Sequence, residues 1–160
     1  MKEINQPLNI DIYFDYICPW CYIASARLLK LKAEYGGAIA INWKSFPLNP
    51  NSLRPKYPIS RINKSRLRAR MEEKSLHIEL WPEDKALPHS SIPAHEAARC
   101  AQAQGKEAFV HYHMALMETY FSHCKDISDR QVLISLAGEL GLDLKRFVSD
   151  LESGSPRRKV

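Results

Sequence analysis

A strand-length apolar run, a turn carrying two cysteines and a helix-length stretch stand in that order near the start of the chain. A second strand-length run follows, and this succession limits the folds open to the sequence. Residues 8 to 15 read as a strand, apolar at most positions and therefore expected to be buried on both faces. The turn is Cys18-Pro19-Trp20-Cys21. A helix is predicted from Pro19 to Tyr35, with Pro19 at the first helical position, where its missing N–H would have had no partner anyway. Gly36-Gly37 supplies the stop. Ala38 to Phe46, rich in Ile and Trp, is the second strand. Strand, helix and strand in that order predict a βαβ unit with parallel strands and a right-handed crossover.

The spacing places the first sulfur of the pair at a helix start. Unpaired backbone N–H groups and the positive end of the helix dipole stabilise a thiolate there. Cys18 is therefore expected to ionise below the free-thiol value of about 8.5, within the ~3.5–7.5 range of such sites. A thiolate at neutral pH is the nucleophile of thiol–disulfide exchange. Cys21 lies one turn on, within reach of Cys18. Pro19 and Trp20 lie between the two and help set the redox poise, and Trp20 is a candidate substrate-contacting aromatic. Asp15, three residues before Cys18, either influences the thiol or caps the turn through a backbone N–H. Lys44, on the second strand, either adds positive potential or is a solvated strand end. His95 is expected to make a local hydrogen bond or to pack at a helix start. A static disulfide or two buried thiols is the structural alternative for the pair.

Four cysteines are too few for a disulfide framework. Cys100 lies in an Ala-rich helical pattern and reads as a core thiol. Cys124, between His123 and Lys125, is left as a minor candidate for an exposed, oxidisable thiol. Zinc normally needs two further ligands, and no second cysteine pair exists. His95, His111, His113 and His123 could contribute only through the fold, and His111 and His113 do not share a helix face. No metal is therefore expected.

At 160 residues the chain suits one domain or a core with an insertion. A 45% hydrophobic and 26% charged composition is that of an ordinary globular protein. The polar first nine residues hold no signal-peptide core, and no run reaches the length of a membrane span. A cytoplasmic address without membrane association is the expectation. The net charge of +5 is weak support for a nucleic-acid partner. Between Arg54 and Lys74 lie eight Lys or Arg residues. They read as a solvated loop and helix face, and with no aromatic interleaved after Tyr57 no nucleic acid is expected. Helices are predicted over 94–104, 106–122 and 143–151. Another, carrying Val132, Leu133, Leu136 and Leu140, is expected to open on a Ser128/Gln131 capping box and to stop at Gly141. Residues 153–160 form a polar, basic tail.

The stretch Asp15-Tyr16-Ile17-Cys18-Pro19-Trp20-Cys21-Tyr22-Ile23 resembles the active site of DsbA-like thioredoxin-fold oxidoreductases of the FrnE-like subgroup. Phe46-Pro47-Leu48-Asn49-Pro50, Ala94-His95-Glu96-Ala97-Ala98-Arg99, and Tyr120-Phe121 leading to Asp126-Ile127-Ser128 are similar to later stretches of the same subgroup. The resemblance implies an α/β thioredoxin-like fold with an inserted helical domain. It divides the chain into a βαβ half over 1–48, the insertion over 49–152 and the tail over 153–160. It implies dithiol–disulfide exchange without a cofactor, with Cys18 attacking and Cys21 resolving. The two last strands, the helix and the cis-proline loop that finish such a core have no counterpart before Val160. Pro156 lies in the basic tail with no strand after it. Either the sequence is incomplete at this end or it is a truncated member; in the truncated case the first strand would have an unpaired edge, a liability for self-association.

The expected partners are thiol or disulfide substrates, proteins or small molecules, with glutathione among them. Two other readings stay open. One is a glutathione-dependent isomerase or transferase, similar to 2-hydroxychromene-2-carboxylate isomerases and kappa-class glutathione transferases, which carry Ser at the position of Cys18. The other is a non-catalytic binding or assembly module.

Overall fold

The computed structural model describes residues 6–50 and 57–154. The basic tail from residue 155 onward, Pro156 included, and the Arg54 and Lys56 end of the basic stretch lie outside the described residues. Strand β1 (Leu8–Phe14) leads through the cysteine turn into helix α1 (Pro19–Tyr35). The helix ends at Gly36, whose φ of 52° only glycine adopts without strain, and a single 3₁₀ turn over Gly36–Ala38 leads into β2 (Ile39–Ser45). The strands pair in parallel from Leu8 opposite Ile39 to Phe14 opposite Ser45. The expected βαβ unit is present with its boundaries nearly as read.

Five helices follow: α2 (Ile59–Glu72), α3 (Ile92–Ala103), α4 (Lys106–Phe121), α5 (Arg130–Glu139) and α6 (Leu144–Glu152). One apolar cluster joins the two parts of the chain. It includes Phe14 and Tyr16 at the end of β1, Tyr22 and Ile23 of α1, and the inward faces of α3 and α4. Tyr22 stacks on Phe121 with ring centroids 5.3 Å apart.

Four expectations are corrected. The first strand is not buried on both faces: Ile12 and Phe14 are inside, while Leu8 and Tyr13 are more than 60% exposed. Helices cover one face of the two-stranded sheet, so the strand alternates. The basic stretch read as a solvated loop and helix face does carry a helix, α2, with Arg61, Lys64, Arg68, Arg70 and Lys74 exposed, but its Arg66 is only 1% exposed. The basic composition hid that burial. The capping box does not form. Asp129 caps α5 by accepting the Gln131 N–H, and Ser128 instead donates its hydroxyl to Asp126. Cys124 is buried, not exposed, and its φ of 48° belongs to the tight turn after α4. No helix among the described residues is long and apolar enough to cross a membrane.

Candidate functional site

Cys18 is the N-cap of α1, with φ −95° and ψ 110°, and Pro19 follows inside the first turn. The extended cap conformation and the proline explain why the strand turns into a helix at this point. The cap also fixes the environment of the sulfur. The Cys21 thiol hydrogen-bonds to Cys18 and is the main reason its pKa falls from the ordinary 9.0 to about 7. Burial opposes the fall, and the backbone N–H groups of Cys21 and Trp20 add to it. The negative charge of Asp15 works the other way. Cys21 is driven in the opposite direction, above the ordinary thiol value, first by its bond to Cys18 and then by burial. One sulfur is thus the more readily ionised of the two, and the other keeps its proton. Both cysteines are free and only partly exposed.

Asp15 directly follows β1 and is fully enclosed. Its backbone carbonyl accepts the Cys18 N–H at 3.2 Å. Its carboxylate accepts the Leu48 N–H at 2.7 Å and lies 3.2 Å from Nε2 of His95. It does not cap the helix start with its side chain; it ties the cysteine turn to the loop after β2 and to α3. His95 packs in the first turn of α3, as expected, and its ring reaches across the fold to Asp15 instead of bonding locally. Its other ring nitrogen, Nδ1, is buried with no partner among the described residues. A second buried chain runs alongside: the Tyr16 hydroxyl is 3.0 Å from Nδ1 of His113, and Nε2 of His113 is 3.0 Å from the Ser25 hydroxyl. Burial, and to a lesser degree His95, lower the His113 pKa to about 3, so the ring is neutral between its two hydroxyls.

The cysteine turn opens on a cavity of about 410 Å³. Cys18, Pro19 and Trp20 form one wall; Leu48 and Asn49 form another; α2 contributes Arg61, Ser65 and Arg66. Trp20 stands 47% exposed at this cavity. Lys44 is exposed on β2, opposite Tyr13, and is not part of the lining. Cys100 is buried in α3, and burial raises its pKa to about 12. Among the described residues no three His, Cys, Asp or Glu side chains gather closely enough to hold a metal ion.

Of the residues singled out in the sequence, Cys18, Pro19, Trp20 and Cys21 come together, with Asp15 behind them. Lys44 stands apart from the cavity. His95, His113, Arg61 and Arg66 were not recognised as neighbours of the turn. His95 is 80 positions from Asp15, and no local pattern announces such a pairing.

Known proteins share both the sequence pattern and the shape. A protein named ClpXP adapter protein SpxH from Halalkalibacterium halodurans is 31% identical over 159 residues, covering 95% of this chain and 51% of the relative. Its Bacillus subtilis namesake is 29% identical over 158 residues, covering 94% and 50%. The chain thus spans about half the length of these curated relatives. Among solved structures, the cytosolic disulfide reductase DsbM from Pseudomonas aeruginosa superposes with a TM-score of 0.75 at 22% identity. The match covers 95% of this chain and 74% of that one. A putative protein disulfide isomerase from Nitrosomonas europaea gives 0.78 at 16% identity, covering 96% and 74%. At those identities the likeness establishes the fold. The model of the DSBA-like thioredoxin domain matches residues 9–160. With the strand, cysteine turn and helix arranged as described, the chain belongs to the DSBA-like thioredoxin domain family.

Proposed function

We propose that the protein is a dithiol–disulfide oxidoreductase whose redox pair is Cys18 and Cys21. The observation that carries this reading is the opposed ionisation of the two sulfurs: Cys18 is lowered to about 7 while its neighbour is raised. Near pH 7 about half of Cys18 is then thiolate, which favours attack on a disulfide. The steps balance as follows. The Cys18 thiolate attacks a substrate disulfide; a mixed disulfide forms and one substrate thiolate leaves. Cys21 loses its proton to solvent or to the departing thiolate and attacks Cys18. A Cys18–Cys21 disulfide forms and the second substrate thiol is released. The substrate gains two electrons and the protein loses them. A thiol reductant returns the pair to its starting state, and run backwards the same steps oxidise a dithiol.

Residues 1–48 supply the redox half in this reading, and the helices of 49–152 form the substrate-facing wall. A cytoplasmic address belongs to the same proposal and draws support from the likeness to DsbM, a cytosolic disulfide reductase. DsbM has also been solved with GSH, which supports small thiols among the substrates.

A second reading is favoured by the relatives' names. A chain 31% identical to a ClpXP adapter protein could bind a protein client with no need of exchange chemistry. One experiment separates the two. Reduced protein is mixed with a model disulfide substrate and thiol release is followed. Exchange activity that disappears in Cys18→Ser supports the oxidoreductase. Full activity in that variant, or none in the parent, removes the redox reading and leaves the adapter.

A further inference from the structure

Helix α2 turns a cationic face to solvent. Its Arg61, Lys64, Arg68 and Arg70 are exposed, as is Lys74 just past its end; only Arg66 is enclosed. No aspartate or glutamate stands between Ile59 and Met71. Glu72 and Glu73, which follow, are both held by Arg27 of α1, at 3.1 and 2.9 Å. Lys64, Arg68, Arg70 and Lys74 form no ion pair among the described residues. Positions three and four apart lie side by side on a helix. Lys64 therefore stands beside Arg68, Arg66 beside Arg70, and Arg70 beside Lys74. Like charges one turn apart weaken a helix, and a helix built for stability alone would interleave acids. Nothing in the described fold offsets this arrangement.

Apolar surface lies among these cations. Leu67 and Met71, one turn apart, are 40% and 69% exposed. By helical spacing Lys64 and Arg68 flank them on one side, and Arg70 and Lys74 on the other. An exposed methionine beside a leucine is adaptable contact surface. A cationic border favours a partner of opposite sign and steers its approach. We infer that the outer face of α2 docks an acidic segment of a partner protein, whose carboxylates meet Lys64, Arg68, Arg70 and Lys74 and whose apolar side chains cover Leu67 and Met71. None of these six residues lines the cavity beside Cys18, so the surface is separate from the exchange chemistry. A nucleic-acid backbone would meet the cations but leave the two apolar side chains against phosphates. A helix lying in a bilayer shows a broad apolar face, whereas α2 shows two apolar side chains in a polar surround.

The probe is a fluorescein-labelled peptide of glutamate and alanine, as long as α2, with two leucines four positions apart. One twin carries glutamine for every glutamate; a second carries serine for both leucines. Binding to the full chain is followed by fluorescence anisotropy. The acidic probe is expected to bind at least about tenfold more tightly than the neutral twin. It should bind at least about threefold more tightly than the twin without leucines. Its affinity should fall as salt rises from 50 to 500 mM, because exposed charges are screened. Lys64→Glu with Arg68→Glu should weaken the probe at least about tenfold, and Leu67→Ser with Met71→Ser at least about threefold. Lys145→Glu, exposed on α6, should leave binding unchanged. All four α2 positions are exposed, so their replacement does not threaten the fold, and the comparison of twins needs no variant.

An acidic probe that fails to bind, or binds within twofold of its neutral twin, overturns the inference. Binding unmoved by Lys64→Glu with Arg68→Glu places the peptide elsewhere and overturns it too. Duplex DNA or phosphatidylserine vesicles bound more tightly than the probe, with no response to Leu67→Ser and Met71→Ser, overturn it in favour of a general polyanion surface. Exchange at Cys18 should be equal in parent and α2 variants, so loss of the docking surface and loss of the redox reading are told apart.

Discussion

Cys18 owes its ionisation to its place in the chain more than to any charged neighbour. A thiol donor and two backbone N–H groups face it, and the one negative group that reaches it, Asp15, works against the thiolate. Alkylation of reduced Cys18 by iodoacetamide is therefore expected to rise with pH around a midpoint near 7, against about 9 for an ordinary thiol. Asp15→Asn removes the opposing charge while its amide oxygen keeps an acceptor for the Leu48 N–H, so the midpoint should move lower. A midpoint that rises in this variant would show that Asp15 acts mainly through position. Cys18→Ser should cut disulfide exchange about a thousandfold or more, as loss of a nucleophile does. Cys21→Ser should retain the first attack and accumulate a mixed disulfide, visible as added mass on the intact protein. His113 gives a prediction about stability. Its folded pKa of about 3 lies below the usual 6.5, so the unfolded chain binds the proton first. The stabilisation is complete above about pH 6.5 and is lost as the pH falls toward 3. Between pH 6.5 and 5 this group alone should remove ~2 kcal/mol. Urea titrations at the two pH values should show the loss in the parent and a smaller one in His113→Gln.

Among the secondary elements, α2 depends most on a single side chain. It is strongly basic and contributes little apolar surface beyond Ala69. Arg66 joins it to the segment before Trp81 and to the end of α4 through three carbonyls. Asn63 adds a two-way bond, donating to the Trp81 carbonyl and accepting its N–H. Arg66→Ala takes the donor from all three carbonyls, leaving the buried Tyr120 carbonyl without it and the Phe121 carbonyl with only the Glu79 N–H, at a cost of about 2 kcal/mol or more. Hydrogen exchange in residues 59–72 should accelerate well before global unfolding; protection equal to the parent would refute this role. The helix also marks where legibility in the sequence ended. β1, α1 and β2 were readable because apolar runs, Pro19 and the Gly36-Gly37 stop are local signals. The later helices were readable from apolar spacing and from Gly105 and Gly141. The cation at position 66 looked like its solvated neighbours at 64 and 68, since burial of an arginine among aromatic rings depends on residues 15 to 58 positions away. The same holds in the site. The cysteine pair and Asp15 could be named from spacing, whereas His95 and the walls of the cavity are assembled by packing α2 and α3 against the turn. Ser128 misled because Asp129, one position on, caps better in the geometry the turn imposes.

For the whole molecule, a sulfur stabilised as an anion in the folded state links redox chemistry to stability. Reduction permits the favourable thiolate, and closing the Cys18–Cys21 bond removes it. The reduced form should therefore melt at a higher temperature than the oxidised form near neutral pH, and the gap should narrow as the pH drops below 7. Paired calorimetric scans at pH 7.5 and 5.5 check both signs. The sheet poses a different question of scale. Exposed Tyr13 of β1 and exposed Phe46, the residue after β2, meet edge to face. Neither strand has a further neighbour among the described residues. Trp20 has a consequence of its own. It is the indole left largely in water beside the two sulfurs, while Trp81 is enclosed and Trp43 is partly shielded. The emission of the folded chain should therefore carry a red component that dims when a disulfide closes next to it and brightens when it opens. The molecule would then report its own electron count as light, with no dye attached.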